Sequence, residues 1–366
     1  MNTKSSTLRS ASRLALLIAL LLIALLPTAC AVKPGIVFPA LANPLVWPPA
    51  PDAPRISYVG QLKTSSDLKP GLSGIDALGQ AILGKKDAHS MLTPMAVCTD
   101  NADRLFVADS NAQLVHVFNL AGRQYATWQP GKGQPAFSQP VGIAWDAARS
   151  RLLVSDSVAA ALYTFNSAGQ FQGRIGEGTL QRPVGIAMEP GAAGRIFVAD
   201  AGLHQVLIFS ADGKLDALLG SRGAGPGQFN YPTYLAFDPA GTLYVSDSLN
   251  FRIQAFDRNL KPTLQFGKKG DMPGYFAQPK GIATDSEGHV YVIDSQFENV
   301  QLFDAQGRVL MDFGEEGGKP GQFWLPTAMC IDSHDRIWVA DSYNRRVQVF
   351  DYKKQPADAQ TAEAQP

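Results

Sequence analysis

Six aspartates recur at nearly constant spacing along the chain, each at the end of an apolar run such as "VAD" or "VSD". Successive members are 47 residues apart, with one interval of 44. A second set of carboxylates keeps the same period and ends runs such as "PVGIAWD". Carboxylates brought together in this way are candidate acid–base groups or cation ligands. The first set comprises Asp109, Asp156, Asp200, Asp247, Asp294 and Asp341, and the second comprises Asp100, Asp146, Glu189, Asp238, Asp285 and Asp332.

The regularity of both sets favours a structural role over a catalytic one. A catalytic centre needs one or two carboxylates in one place, whereas a turn that is repeated six times needs the same residue six times. An Asp in a short turn can accept hydrogen bonds from the backbone N–H groups of that turn. We therefore interpret both sets as parts of a repeated building block.

The histidines do not indicate a metal or a nucleophile site. A zinc site needs convergent ligands, but the five histidines stand at different positions of the repeat and none falls on a predicted inner strand. No C-x-x-C-H haem motif or Ser–His–Asp arrangement is visible. We therefore predict no cofactor, except that a calcium held by backbone carbonyls in a central channel remains possible. The histidines are His89, His116, His204, His289 and His334.

Two cysteines occupy equivalent positions in the first and last repeats. Cys98 and Cys330 would be neighbours if the repeats closed into a ring. However, equivalent positions point the same way around a ring, so their Cβ atoms would not face each other as a disulfide requires. We expect buried thiols rather than a bridge.

The repeat itself consists of short runs of alternating apolar residues separated by turn residues. Each copy opens with a Pro, as in "PVGIAWD", and continues through "LYVSD" and "RVQVFD" to a weaker run that ends in Gly. Four short strands per period of about 40–50 residues are typical of propeller blades. The sequence therefore predicts an all-β, six-bladed propeller of four-stranded antiparallel blades over residues 55–352.

The last repeat lacks its own outer strand, and the segment "PRISYVGQL" before the first repeat supplies a candidate. Because an open ring would leave unpaired strand edges, we expect Ile56–Gly60 to pair with Val347–Asp351. The intervening residues 63–91 form an insert, in which near-helical apolar spacing predicts a short helix at about 73–84. Residues 353–366 are polar and predicted to be disordered.

The N-terminus has the pattern of an export signal. Basic residues precede the 13-residue apolar run "LALLIALLLIALL", which is about 20 Å long as a helix and too short for a bilayer core of about 30 Å. The following "LPTAC" resembles the lipobox of bacterial lipoproteins, which implies lipid attachment at Cys30; Pro27 departs from that pattern, and an ordinary signal peptide is the alternative. Ala31 after the Cys implies the outer membrane.

Residues 31–54 carry seven prolines, which favour an extended conformation. This segment could act as a stiff tether between the membrane and the propeller. Alternatively, Ile36–Phe38 and Trp47 could dock on the propeller wall. Both could hold in part.

The repeat motifs resemble a known family. "PVGIAWD", "YVSDSLNFRIQAFD" and "GAGPGQF" are similar to NHL repeats, and "WPPAPDAPRISYVGQL" resembles the entry segment of bacterial NHL-repeat lipoproteins. The resemblance covers residues 92–352 and implies a six-bladed propeller. It does not imply one activity, because similar propellers serve as protein-binding platforms, as RNA-binding domains and as metal-dependent lyases or lactonases.

Variation within the repeat suggests a partner surface. The loops after the first aspartate set carry aromatic and arginine residues in repeats 4 to 6, and such residues are enriched at interface hot spots. The alternative is that "S-x-N-x-R" belongs to the packing of the repeat. The candidate contact residues are Tyr234, Phe251, Arg252, Lys280, Phe297, Tyr343, Arg345 and Arg346.

Charge narrows the range of partners. The chain has 32 basic and 32 acidic residues, so it lacks the basic field that nucleic-acid binding requires. We predict a monomeric, lipid-anchored scaffold of the cell envelope that binds an envelope protein and has no catalytic activity. The alternative is a metal-dependent lyase or lactonase with its site at the central channel.

Overall fold

Six antiparallel sheets follow one another along the chain, one for each sequence repeat. The computed structural model describes residues 37–68, 89–191 and 194–354. In every sheet the first strand lies innermost, and neighbouring first strands contact each other around a closed ring. The predicted six-bladed β-propeller is therefore confirmed. The inner strands are Pro94–Thr99, Pro140–Asp146, Pro183–Met188, Pro232–Phe237, Pro279–Thr284 and Pro326–Ile331.

The other strands of each blade follow from the centre outward. The second strands are Arg104–Asp109, Arg151–Asp156, Ile196–Asp200, Leu243–Asp247, Val290–Asp294 and Arg336–Asp341. The third strands are Leu114–Asn119, Ala161–Asn166, Gln205–Phe209, Arg252–Phe256, Asn299–Phe303 and Arg346–Tyr352. The fourth strands of blades 1 to 5 are Gln124–Trp128, Phe171–Ile175, Leu215–Leu219, Pro262–Phe266 and Val309–Phe313.

Blade 6 obtains its fourth strand from the N-terminal side, as the sequence predicts. Ile56–Leu62 pairs antiparallel with Arg346–Tyr352, with Ile56 opposite Tyr352 and Leu62 opposite Val347. A further short strand, Val46–Trp47, adds to this edge and makes blade 6 five-stranded. The pairing joins the two ends of the propeller and leaves no unpaired edge at the seam.

Part of the Pro-rich segment lies against blade 6 and the neighbouring outer strand of blade 5. The ring of Trp47 lies 5.9 Å from both Phe313 and Phe350, and the ring of Phe38 lies 6.0 Å from Trp338. These aromatic contacts bury apolar surface that the blade would otherwise expose.

Three features predicted from the sequence lie outside the described residues: the signal peptide with Cys30, the helix at about 73–84, and the tail from residue 355 onward. The helical segments among the described residues are two short 3₁₀ helices, at Ser65–Leu68 and Ser248–Asn250. No helix in the described part of the chain is long and apolar enough to span a membrane.

The pattern G-x-x-P-G-x-F, which includes "GAGPGQF", precedes the inner strands of blades 4, 5 and 6 and builds the core between the blades. Its phenylalanine is fully buried in all three blades, and each ring lies 5.8 Å from a phenylalanine of the third strand of its blade. The glycine that ends the preceding outer strand, such as Gly314 with φ of +89°, has no room for a Cβ beside this ring. The motif is therefore explained by packing.

Candidate binding face

One end of the disc, here called the upper face, is where the inner strands begin and the second strands end. The blade-opening prolines pair with the aspartates of the first set, for example Pro94 with Asp109 and Pro326 with Asp341. All six of these aspartates are fully buried. Each accepts at least one backbone N–H from the loop before the inner strand, as Asp341 does from Trp324 at 2.8 Å.

The second set lies at the lower end of the disc and also holds turns together. Asp285 accepts backbone N–H groups from Glu287 and His289, and Asp332 accepts them from His334 and Arg336. The carboxylates of both sets thus hold local backbone donors or side chains of the same blade, such as Arg195 on Glu189. This geometry supports the structural interpretation of the two sets.

Arg252 and Arg346 do not lie on a contact surface, which corrects their placement among the candidate partner residues. Arg346 is 1% exposed, and its Nε donates to Asp341 at 2.6 Å. Its remaining donors reach Gln61 Oε1 and three loop carbonyls, including that of Gln322. Arg252 makes the same kind of contacts in blade 4. Both side chains clamp the loop before the inner strand.

Tyr234 is also unavailable to a protein partner. It replaces the glycine of "P-x-G" in blade 4, and its side chain crosses the channel toward blades 1 and 2. The hydroxyl lies 3.2 Å from the carbonyl oxygens of both Met95 and Val141, to either of which it can donate. Burial raises the pKa of the Tyr234 phenol, so the group stays a neutral hydrogen-bond donor. Tyr234 therefore forms a floor near the upper end of the channel.

The other five candidates are at least partly accessible. Phe251, Lys280 and Phe297 are half-buried, whereas Arg345 is exposed and Tyr343 is 57% exposed. A sixth accessible residue of this face, Trp324, was not among the residues predicted from the sequence. A signal was present, because the position two residues before the blade-opening proline holds Leu, Ser, Gln, Asn and Ala in the other blades.

Trp324 and Tyr343 form an exposed aromatic pair at the upper face of blade 6. The Trp324 side chain is 51% exposed, and the two ring centroids are 5.6 Å apart. Arg345 stands two residues beyond Tyr343. We call Trp324, Tyr343 and Arg345 the aromatic patch. Large exposed aromatic side chains next to an arginine are the residue types that dominate protein interfaces.

A cavity of about 270 Å³ opens at the channel mouth. Most of its wall comes from residues directly before and after the blade-opening prolines, and Tyr234 contributes from below. The lining residues are Met95, Gln139, Val141, Ser157, Arg182, Val184, Tyr231, Thr233, Tyr234, Gln278, Lys280 and Thr327. Burial lowers the pKa of the Lys280 ammonium, and the charge of Asp294 partly offsets this effect.

The described residues contain no group of three or more His, Cys, Asp or Glu side chains placed to hold a metal ion. The upper-channel carbonyls that a calcium would use accept hydrogen bonds from hydroxyl groups, from Thr327 to Met95 at 2.8 Å and from Ser155 to Val184. A cation at this level would compete with those donors.

Cys98 and Cys330 are free thiols that line the lower part of the channel. Burial raises the pKa of both thiols. Since the thiolate is the nucleophile and the metal ligand, this environment makes both groups unreactive.

Comparison with known families finds a match for one of the six repeats. The NHL repeat model matches residues 323–350, which lie in blade 6. The comparison with curated proteins found no match. The molecule is thus a six-bladed β-propeller whose last blade matches the NHL repeat model.

Several solved structures share this fold. A catalytically inactive virginiamycin B lyase from Staphylococcus aureus with quinupristin is 14% identical, with 71% of this chain and 84% of that chain covered and a TM-score of 0.52. An auxiliary nutrient binding protein from Bacteroides thetaiotaomicron is 14% identical, with coverages of 72% and 70% and a TM-score of 0.57. Kuenenia stuttgartiensis hydrazine synthase is 12% identical, with coverages of 75% and 97% and a TM-score of 0.52. At these identities the likeness concerns the fold alone.

Proposed function

We propose that this protein is a binding scaffold of the bacterial cell envelope, anchored by a lipid on Cys30, which holds an envelope protein through the aromatic patch of blade 6. The observation that carries the proposal is the exposed Trp324–Tyr343 pair beside Arg345. The protein acts as a monomer in this role and does not bind nucleic acid, in keeping with its balanced charge.

The backbone of the patch is rigidly held, which lowers the entropic cost of binding. The amide of Trp324 donates to the buried Asp341 at 2.8 Å. The amide of Tyr343 donates to the carbonyl of Trp324 at 3.1 Å, and that of Arg345 donates to Ser342 at 3.1 Å. The two aromatic rings are therefore presented on a fixed framework rather than on a free loop.

The docked part of the Pro-rich segment and the aromatic patch belong to the same blade. The Pro-rich segment that follows Cys30 reaches blade 6 through Phe38 and Trp47. Because the segment is docked from Phe38 onward, we expect the part of the chain between Cys30 and Phe38 to act as a short tether to the membrane.

The experiment that tests the scaffold function is an in-cell crosslinking pull-down in the source bacterium. The wild type is compared with Trp324→Ser/Tyr343→Ser/Arg345→Glu, and with the control Val158→Ser. Val158 is 66% exposed on the upper face of blade 2, outside the patch. We expect one envelope protein to be captured by the wild type and the control, and lost in the triple variant. Capture of the same proteins by all three would contradict the proposal.

The anchor is tested separately by Cys30→Ala. If the lipid holds the protein, this variant should leave the membrane fraction and appear in the soluble fraction, while the propeller still folds. An unchanged membrane fraction would show that Cys30 is not the anchor.

The enzyme alternative has less support from the residues. The lyase structure of the same fold carries a histidine-to-alanine replacement and is catalytically inactive. In this chain the six inner strands carry no histidine, and the described residues offer no cluster of metal ligands. Metal analysis of the purified protein decides the question, because a stoichiometric divalent ion would favour the lyase or lactonase type.

A further inference from the structure

The channel mouth contains cationic groups without anionic partners. Lys280 and Arg182 are the two charged side chains of its lining, and no carboxylate contributes to the wall. In the described part of the chain, neither side chain has a hydrogen bond or an ion pair. The guanidinium of Arg182 only lies over the ring of Tyr231, at 5.7 Å.

The nearby carboxylates accept hydrogen bonds from backbone groups and not from these cations. Asp294 accepts backbone N–H groups from Ala277 and Gln278, and Asp200 accepts those of Gln181 and Arg182. Asp294 is the carboxylate whose charge acts on Lys280, but it does not contact the ammonium group. The lining of the cavity therefore carries two positive charges, one on the exposed Arg182 and one on the half-buried Lys280, where a charge is costly without a partner.

Most hydroxyl groups of the cavity are satisfied internally, and only that of Tyr231 has no partner among the described residues. Thr233 pairs with Ser248 at 2.6 Å, Thr327 donates to Met95, and Tyr234 reaches the carbonyls beneath it. The side-chain amide of Gln278, in contrast, has no partner among the described residues. The polar groups of the mouth that lack a hydrogen-bond partner are thus mainly donors, on Lys280, Arg182 and Gln278, and a ligand that binds there should supply acceptors.

The remaining wall is apolar and aromatic. Met95, Val141 and Val184 lie around the mouth beside the ring of Tyr231. The amide of Tyr231 donates to His204 Nδ1 at 3.0 Å, and this residue has a φ of +63°, so its backbone is fixed. An apolar wall beside cationic donors matches an organic anion better than an inorganic one.

We propose that the channel mouth binds a small organic carboxylate, with its carboxylate group held by Lys280 and Arg182 and its apolar body against Tyr231 and Val184. The Tyr234 floor closes the cavity from below and limits the ligand to a small molecule. This site is separate from the aromatic patch and does not depend on a protein partner.

Titration calorimetry on the purified propeller at low salt tests the site with three probes: benzoate, hexanoate and succinate. Benzamide serves as a neutral control of the same shape as benzoate, and inorganic phosphate as an anion without an apolar body. We expect at least one carboxylate to bind and both controls to fail. Loss of one charge-assisted contact in Lys280→Met or Arg182→Met should weaken binding about tenfold or more.

The matched control variant is Lys132→Met, which removes an exposed cation from the loop before the inner strand of blade 2, outside the cavity, and should leave the affinity unchanged. The proposal is overturned if none of the carboxylates binds at about 10 mM, if benzamide or phosphate binds as well as benzoate, or if Lys280→Met binds like the wild type. None of these outcomes bears on partner capture, so failure of this site and failure of the scaffold function are distinguishable.

Discussion

Blades 4 to 6 differ from blades 1 to 3 in the loop that leads into the inner strand. In blades 4 to 6 this loop carries the G-x-x-P-G-x-F pattern, at residues 223–229, 270–276 and 317–323. Long polar side chains from the third strand of the same blade hold each loop. Gln254, Gln301 and Gln348 bond to its backbone in all three blades, and arginine adds to this in blades 4 and 6.

The arginine of blades 4 and 6 stands five residues, and the glutamine of blades 4 to 6 seven residues, after the aspartate of the first set. Blades 1 to 3 have other residues at these two positions: Leu114, Ala161 and Gln205 at the first, and His116, Tyr163 and Leu207 at the second. Where the loop lacks the glycine-rich pattern, its backbone no longer needs the same clamp. The contrast shows that polar residues found in only some of the blades can hydrogen-bond to the loop backbone of those blades and need not bind a ligand.

The largest effect is expected from Arg346→Met in blade 6. This change leaves the fully buried Asp341 without its arginine and frees the loop carbonyls of Gly318 and Lys319, whereas the carbonyl of Gln322 keeps its bond from Gln348. Breaking a buried ion pair by removing one partner costs about 3–5 kcal/mol. Urea unfolding of the variant should show this loss in the free energy of unfolding.

The neighbouring Arg345→Met is the matched control for that experiment. Arg345 is exposed, so its replacement should change the free energy of unfolding by less than about 0.5 kcal/mol. Equal costs for the two variants would break the assignment of Arg346 as a loop clamp.

Blade 5 sharpens the comparison because it has Asn299 where blades 4 and 6 have arginine. There Gln301 alone holds the loop, with Oε1 accepting from Gly274 at 2.8 Å and Nε2 donating to Tyr275 at 2.8 Å. Gln301→Leu should cost about 2 kcal/mol, because two backbone groups lose their partners. Hydrogen exchange should also become faster in residues 270–276. The exposed Gln296→Leu in the same blade should change neither quantity.

The fold was largely predictable from the sequence, because the period, the strand alternation and the missing outer strand are all local patterns. The site was less predictable. The sector was indicated by its arginines and aromatics, but Arg346 and Arg252 have their partners in loop carbonyls more than 20 residues away in sequence. Nothing in a local pattern distinguishes an arginine that faces solvent from one that faces such carbonyls. Trp324 could have been found by comparing equivalent positions of the blades.

In blade 1 the position of the loop-holding glutamine can be tested by a substitution with a smaller expected effect. His116 replaces the clamping glutamine and contacts Asp109 at 3.1 Å and the hydroxyl of Tyr125 at 2.7 Å. His116→Gln can keep the bond to the aspartate, as Gln348 does to Asp341 at 3.0 Å, but loses Tyr125. We expect a cost of about 1 kcal/mol. A double-mutant cycle with Tyr125→Phe should show that the two changes are not additive; a cost equal to that of Arg346→Met would contradict this account.

The smallest effect concerns the lower turns of blades 5 and 6. Asp285 accepts from His289 Nδ1 at 2.8 Å, whereas Asp332 accepts from the indole of Trp338 at 3.0 Å, which does not titrate. The hydrogen bond to Asp285 raises the pKa of His289 above its usual 6.5, against the opposing effect of burial. A raised histidine pKa contributes stability that is fully present below the unfolded value and is lost as the pH rises through the folded value.

His289→Gln should therefore be less stable than the wild type at about pH 6, and the difference should shrink as the pH rises toward about 9. Thermal unfolding across this range measures the effect, with the exposed His334→Gln as a control that should keep the pH dependence of the wild type. A difference that stays constant with pH would mean that the imidazole of His289 stabilises the turn of blade 5 by packing and not by its charge. In that case the turns of blades 5 and 6 would be held in the same pH-independent way.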